Sequence, residues 1–187
     1  MDLYDSTNNC NSIILIGYMG SGKTSIGKKL SKKINYDFID LDKEIEKKLN
    51  KSISQIFTDL GELEFRKIEN IILMKILSFK HKFILSVGGG TPCYYDNMNL
   101  ILSKSKYSIY LKVPLKILSK RLYLKKEKRP ILSNIDSINN MKEFIAKHIF
   151  ERIPFYEKSN FIIESNREDG ELAVSYTHLT LPTSYPV

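Results

Sequence analysis

Gly17-Tyr18-Met19-Gly20-Ser21-Gly22-Lys23-Thr24 follows directly on the apolar run Ser12–Ile16 and matches GxxxxGK[ST]. This short stretch constrains the chain tightly, because it works only between a buried strand and the start of a helix. Its glycines permit positive φ and close backbone approach, so successive N–H groups can point at phosphate oxygens. The helix that follows turns its positive N-terminus toward the same anion. Lys23 is placed to neutralise the β and γ phosphates, and the Thr24 hydroxyl to bind Mg²⁺. With ordinary frequencies of Gly and Lys, chance gives such a match in under about 1% of chains this long. The motif points to nucleoside triphosphate binding and is silent about an acceptor.

The rest of the chain repeats the strand-then-helix rhythm. Apolar runs at Ser12–Ile16, Asp37–Leu41, Phe83–Val87, Tyr107–Val113 and Phe161–Ile163 read as strands. The first, third and fourth lack polar alternation, as strands buried on both faces should. Helical patterns lie at Lys23–Ile34, Lys43–Leu49, Ser54–Phe79, Tyr94–Ser103, Pro114–Lys125 and Met141–Arg152. Alternation of this kind predicts an α/β fold with a parallel sheet and right-handed connections. Ligands of such sheets sit beyond the carboxyl ends of the strands, where the motifs of this chain fall. The charged stretch Lys125-Lys126-Glu127-Lys128-Arg129 reads either as a solvated loop or as a mobile lid that closes basic groups over a phosphate.

The chain has 187 residues, and about 150 residues per domain makes one domain the expectation. Its formal net charge of +8 would suit an anionic partner. The excess is mostly Lys, in a chain also crowded with Ile, Asn and Ser, so we read much of it as the drift of AT-rich coding. Cys10 and Cys93 form no zinc-ligand spacing and read as two reduced thiols of a cytosolic protein. The acidic start Met1–Asp5 has no signal-peptide pattern, and no apolar window is long enough to span a membrane. Val174–Val187 departs from the Lys-rich style of the rest, and its first ten residues read like a translated sequencing adapter. We therefore expect a domain over 1–173, with its core at about 12–167 and a lid at about 122–137, followed by a non-native tail at 174–187.

Asp40 and Asp42 flank Leu41 at the end of the second predicted strand, on the same side by its period of two. A carboxylate pair beside a nucleotide can hold Mg²⁺ through water and orient or deprotonate a hydroxyl. Asp42 reads equally well as an N-cap for a helix beginning at Lys43. Lys outnumbers Arg, so Arg66, Arg121, Arg129 and Arg152 hint at a planar anion that a guanidinium pairs bidentately. Each also reads as a surface ion-pair residue. Gly88-Gly89-Gly90 lets a substrate lie against bare backbone, or is a flexible turn.

In order, GYMGSGKTSIGKKL, FIDLDKEIE, ISQIFTDLGELEFRKIE, ILSVGGGTP, RPIL, ERIPFY and SNR resemble the shikimate kinase family, from about Ser12 to Arg167. The resemblance implies a three-layer α/β/α fold of P-loop kinase type with a five-stranded parallel sheet and a mobile lid. It also implies ATP-dependent phosphorylation of the 3-hydroxyl of shikimate, on the route to aromatic amino acids, with Mg²⁺. By that resemblance Gly20, Ser21, Gly22, Lys23, Thr24 and Ser25 hold nucleotide, and Arg121 and Arg167 flank the adenine. Thr24 and, through water, Asp40 serve the metal, while Asp42 binds the hydroxyls and is the base. Arg66 and Arg152 grip the carboxylate, and Gly88, Gly89 and Gly90 contact the ring side. Arg129 on the lid neutralises the transferring phosphoryl group, which makes Lys23, Asp42 and Arg129 the catalytic set. The family usually has a small residue where Thr91 stands, and Pro92-Cys93 is atypical.

The rival readings are another kinase of similar fold, such as a gluconate kinase, and a catalytically silent ATP-binding module. A nucleic-acid binder is disfavoured, because no aromatic and basic interleaving accompanies the charge. We expect a cytoplasmic monomer that binds ATP and shikimate and neither nucleic acid nor membrane.

Overall fold

Ile13–Ile16, four consecutive branched apolar residues, form β1, the strand that leads into the phosphate motif. The computed structural model describes residues 11–128, 130–165 and 175–176. Further strands are β2 (Asp37–Asp40), β3 (Phe83–Ser86), β4 (Tyr107–Lys112) and β5 (Phe161–Glu164). They pair in parallel in the order β2-β3-β1-β4-β5. The expected five-stranded parallel sheet is present, and β6 (Ser175–Tyr176) adds a short antiparallel edge against β5. The chain leaves β1 for the edge, returns as β3 beside it, and then crosses to β4 on the other side. That reversal creates the crevice at the carboxyl end of β1. Register levels Asp40 with Ser86 at this end, and Val87 N–H extends the pairing to the Leu15 carbonyl at 3.2 Å.

Helices α1 (Lys23–Ile34), α2 (Leu41–Leu49), α3 (Ile53–Leu77), α4 (Asn97–Lys104), α5 (Leu115–Tyr123), α6 (Pro130–Ser133) and α7 (Ile138–Tyr156) connect and cover the sheet. Ile14, Ile16, Leu41, Ile45, Leu73, Leu85, Ile101, Met141 and Ile145 meet in one fully buried core. Gly27 lets α1 lie close on the sheet: a Cβ there would stand 2.9 Å from Cδ2 of Phe38 and 3.2 Å from Leu15. Among the described residues no helix is long and apolar enough to cross a membrane.

Boundaries differ from expectation where side chains act locally. β2 stops at Asp40 and Leu41 already belongs to α2, so Asp40 occupies the N-cap position and Asp42 lies in the first turn. The reading of Asp42 as an N-cap is corrected accordingly. The long helix starts one residue early because Ser52 and Gln55 form a reciprocal capping box. It kinks at Gly61, whose φ of 76° leaves the helical region. Thr91–Cys93 form a 3₁₀ turn and α4 begins only at Asn97. α7 runs past Arg152 to Tyr156 and includes Pro154. The segment after α5 is more than a bare loop. It holds a 3₁₀ turn and α6, and Leu132 is fully buried. Arg129, Arg167, Cys10 and most of the tail lie outside the described residues.

Candidate active site

The phosphate loop turns at Gly20 and Gly22, with φ of 80° and 98°, a region that strains any side-chain-bearing residue. Gly22 is also the N-cap of α1. Lys23, 8% exposed, bends back over the loop and donates to the Gly17 carbonyl at 2.6 Å and the Tyr18 carbonyl at 3.0 Å. An ammonium held above a ring of backbone groups is where an anion would be met. Ser21 Oγ is buried there without a hydrogen-bond partner. From α5, Arg121 Nη1 donates to the Gly20 carbonyl at 3.3 Å, and Leu122 packs against Gly20. Ser25 is exposed on the first turn of α1.

Thr24 Oγ1 donates to Asp40 Oδ2 at 2.8 Å. This contact joins the end of the phosphate loop to the end of β2 and sets two hard oxygen donors side by side. Asp42 is half-buried, and its carboxylate lies against the turn after β3: a Cβ on Gly88 would stand 3.1 Å from Asp42 Oδ1. A Cβ on Gly89 would stand 3.2 Å from the Met19 amide, which brings that turn against the phosphate loop.

Arg66, only 7% exposed, projects from α3 across the same turn. Its guanidinium packs so tightly on Gly90 that a Cβ there would fall 2.6 Å from Nη2. The ring of Tyr94 stacks on the guanidinium, 4.1 Å from its carbon. Nη1 donates to Glu69 Oε2 at 2.8 Å, while Nε and Nη2 reach Glu62 Oε1 at 3.3 and 3.2 Å. Glu69 is fully buried, and its other oxygen accepts from Thr91 Oγ1 at 2.6 Å. Asn97 donates to the Thr91 carbonyl at 2.8 Å and accepts from Asn70 at 2.6 Å. Burial is the largest single influence on Arg66 and opposes its charge, yet Glu69, Tyr94 and Glu62 together outweigh it and raise the guanidinium pKa. The Tyr94 hydroxyl donates to Glu62 Oε1 at 2.7 Å and is the main cause of that carboxyl's lowered pKa. Thr91 therefore anchors the buried carboxylate that orients Arg66.

α7 supplies the opposite wall. Arg152 is half-buried, and its guanidinium lies 5.5 Å from the centre of the Tyr18 ring, a residue of the phosphate loop. Its charge acts with that of Arg66 on Glu62 and on Cys93, so the two guanidiniums share one electrostatic field. Burial lifts the Cys93 thiol to about 11 against both, leaving it protonated. One turn before Arg152, the His148 ring packs at a tilt against Phe144 and pairs with the Tyr18 hydroxyl at 3.4 Å. One turn after it, the fully buried Tyr156 donates to the Gly89 carbonyl.

The structure thus brings Lys23, Thr24, Asp40, Asp42, Arg66, the Gly88–Gly90 turn, Arg121 and Arg152 to one cleft at the carboxyl ends of the strands. Arg129 and Arg167 lie outside the described residues. Sequence reasoning missed Glu62, Glu69, Thr91, Tyr94, Tyr18 and Tyr156, which hold the named residues in place. Only the spacing of Glu62, Arg66 and Glu69, four and three residues apart on one helix face, carried a signal.

A β2-β3-β1-β4-β5 sheet with a phosphate loop beyond β1 puts the chain among the P-loop kinases. The shikimate kinase family model matches residues 19–180, and the chain belongs to that family. It is 45% identical over 151 residues to a shikimate kinase of Flavobacterium psychrophilum, covering 81% of this chain and 87% of that one. Identity to the Parabacteroides distasonis shikimate kinase is 41% over 155 residues, 83% of this chain and 88% of the relative. The crystal structure of shikimate kinase from Bacteroides thetaiotaomicron superposes with a TM-score of 0.76 at 38% identity, covering 84% of this chain and 86% of that one. Shikimate kinase from Acinetobacter baumannii in complex with shikimate also gives a TM-score of 0.76, at 30% identity, over 84% and 85% of the two chains.

Proposed function

We propose that the chain transfers the γ-phosphoryl group of ATP to the 3-hydroxyl of shikimate, releasing ADP. One observation carries the acceptor half of this reading. A buried guanidinium, held between two carboxylates and the Gly90 backbone, shares its turn with the phosphate loop. A planar cation oriented by the buried Glu69 suits a carboxylate of fixed orientation, and a second guanidinium at Arg152 suits the same anion from the opposite wall. The family membership and the relative that binds shikimate support the choice of acceptor over gluconate.

Phosphoryl transfer asks mainly for positioning and charge neutralisation. Lys23 exchanges the Gly17 and Tyr18 carbonyls for β and γ phosphate oxygens. Arg66 and Arg152 fix the acceptor carboxylate, with the Gly88–Gly90 turn against its ring. Asp42, set against Gly88, accepts the hydrogen bond of the reacting hydroxyl and takes its proton. Arg121 adds a cation beside the phosphate loop; by the family resemblance, Arg129 would neutralise the transferring phosphoryl group and Arg167 would flank the adenine. Thr24 Oγ1 and Asp40 Oδ2, 2.8 Å apart at the rim of the loop, are hard donors that fit Mg²⁺, Asp40 through a water. Bound there, the ion would offset charge on the β and γ phosphates. The chain acts as a monomer in the cytoplasm.

The test is coupled ADP release from ATP with shikimate, with gluconate and with neither. Release that depends on shikimate is expected. Release that depends on gluconate, or that ignores both, overturns the reading.

A further inference from the structure

The two carboxylates on Arg66 differ in every respect that decides whether a partner can leave. Glu69 is 1% exposed, bonds at 2.8 Å and has its second oxygen tied to Thr91. Glu62 is 51% exposed and reaches Nε and Nη2 at 3.3 and 3.2 Å, long for charge-assisted bonds. It also follows Gly61, where α3 departs from helical φ/ψ and a Cβ would meet nothing within 4 Å. The side chain therefore sits on a joint, with water beside it.

Three donors converge on one oxygen of Glu62: Arg66 Nε, Arg66 Nη2 and the Tyr94 hydroxyl at 2.7 Å. Together they make a seat for a carboxylate oxygen, lined below by the Tyr94 ring. A buried guanidinium stripped of a partner is costly, whereas a half-exposed carboxylate returns to water easily. Exchange is thus favourable only with an incoming anion that takes the same donors.

We propose that Glu62 is a built-in competitor, occupying the acceptor-carboxylate seat of Arg66 in the free molecule and displaced when the acceptor binds. This deepens the function proposed above and rests on it. Glu69 keeps the guanidinium oriented throughout, and Tyr94 passes its hydroxyl from Glu62 to the acceptor. Glu62 then tunes affinity and selectivity, since a ring alcohol without a carboxylate has nothing with which to replace it.

The experiment is calorimetric binding of shikimate, with steady-state kinetics, for the wild type and for Glu62→Gln, Glu62→Ala and Glu69→Gln. Removing the competitor lowers the shikimate Kd and KM by roughly 3- to 10-fold, about 0.7–1.4 kcal/mol, and leaves ATP affinity within twofold. Glu69→Gln acts in the opposite direction. The gain disappears for an analogue whose carboxylate is replaced by hydroxymethyl. A threefold or greater rise in Kd for both Glu62 variants makes Glu62 an orienting residue and overturns the proposal, and an unchanged Kd removes it from the seat. Alanine is a strong helix former, so Glu62→Ala keeps the test open if the Gln variant fails to fold. A wild type inactive toward shikimate overturns the acceptor assignment and this proposal with it. An active wild type whose variants do not tighten overturns the competitor alone.

Discussion

The two ends of the cleft are built on different principles. At the phosphate end, the proposed binding surface is built around the backbone of one unbroken stretch, Gly17–Thr24, whose own carbonyls already hold Lys23. At the acceptor end it is nearly all side chain, gathered from α3, the turn after β3 and α7. Every cation there is matched to carboxylates or aromatic faces. A triphosphate looks much alike in every nucleotide, so a local cradle suffices. A small cyclic acid has one carboxylate and a few hydroxyls, and holding it requires groups brought from distant parts of the chain.

Lys23→Ala should break the phosphate end outright, lowering turnover at least about 1,000-fold while the circular dichroism spectrum is unchanged. Arg66→Lys keeps the charge and loses the fork, so shikimate KM should rise roughly 30-fold or more while ATP KM holds. An equal rise in both constants would erase the distinction between the two ends. Gly27→Ala tests the support beneath the phosphate loop. Crowding against Phe38 and Leu15 should cost about 1–3 kcal/mol, read in thermal or denaturant melting. His148 offers a smaller, pH-dependent probe behind the acceptor wall. Burial, joined by the charge of Arg152, lowers its folded-state pKa from 6.5. The unfolded chain therefore takes up the proton first. The stability this gives is complete above the unfolded pKa and is lost as pH falls through the lower folded value. Melting of the wild type should decline from pH 7 to pH 5 more steeply than that of His148→Gln. The smallest effect is expected at the sheet edge: removing Val174–Val187 should leave kinetics unchanged, because among the described residues β6 adds only Ser175 and Tyr176 to the sheet.

Much of the fold was legible because its signals are local. β3 is FILS, buried at every position, and α1 keeps its predicted bounds from Lys23 to Ile34. Boundaries went astray at local details: the Ser52 capping box, the direct passage from Asp40 of β2 into α2, and Pro154, carried inside α7. The phosphate loop was readable because spacing along the chain is its geometry. The acceptor end was readable only as a set of arginines. Nothing near Arg66 in sequence announces that Thr91 ties Glu69 in place, since that bond spans 22 residues. Tyr94 and Tyr156 likewise read as ordinary aromatic residues until the turn after β3 folds beneath them.

The bond from the Tyr156 hydroxyl to the Gly89 carbonyl has a consequence for the order of assembly. It fastens the late helix to a bend made 67 residues earlier, and the same helix carries Arg152. During synthesis, the stretch Gly17–Thr24 emerges early, whereas the wall that carries Arg152 waits for almost the whole chain. A nascent or clipped protein lacking α7 would keep Gly17–Thr24 and Arg66 in its sequence but have neither Arg152 nor the Tyr156 tie on the turn after β3.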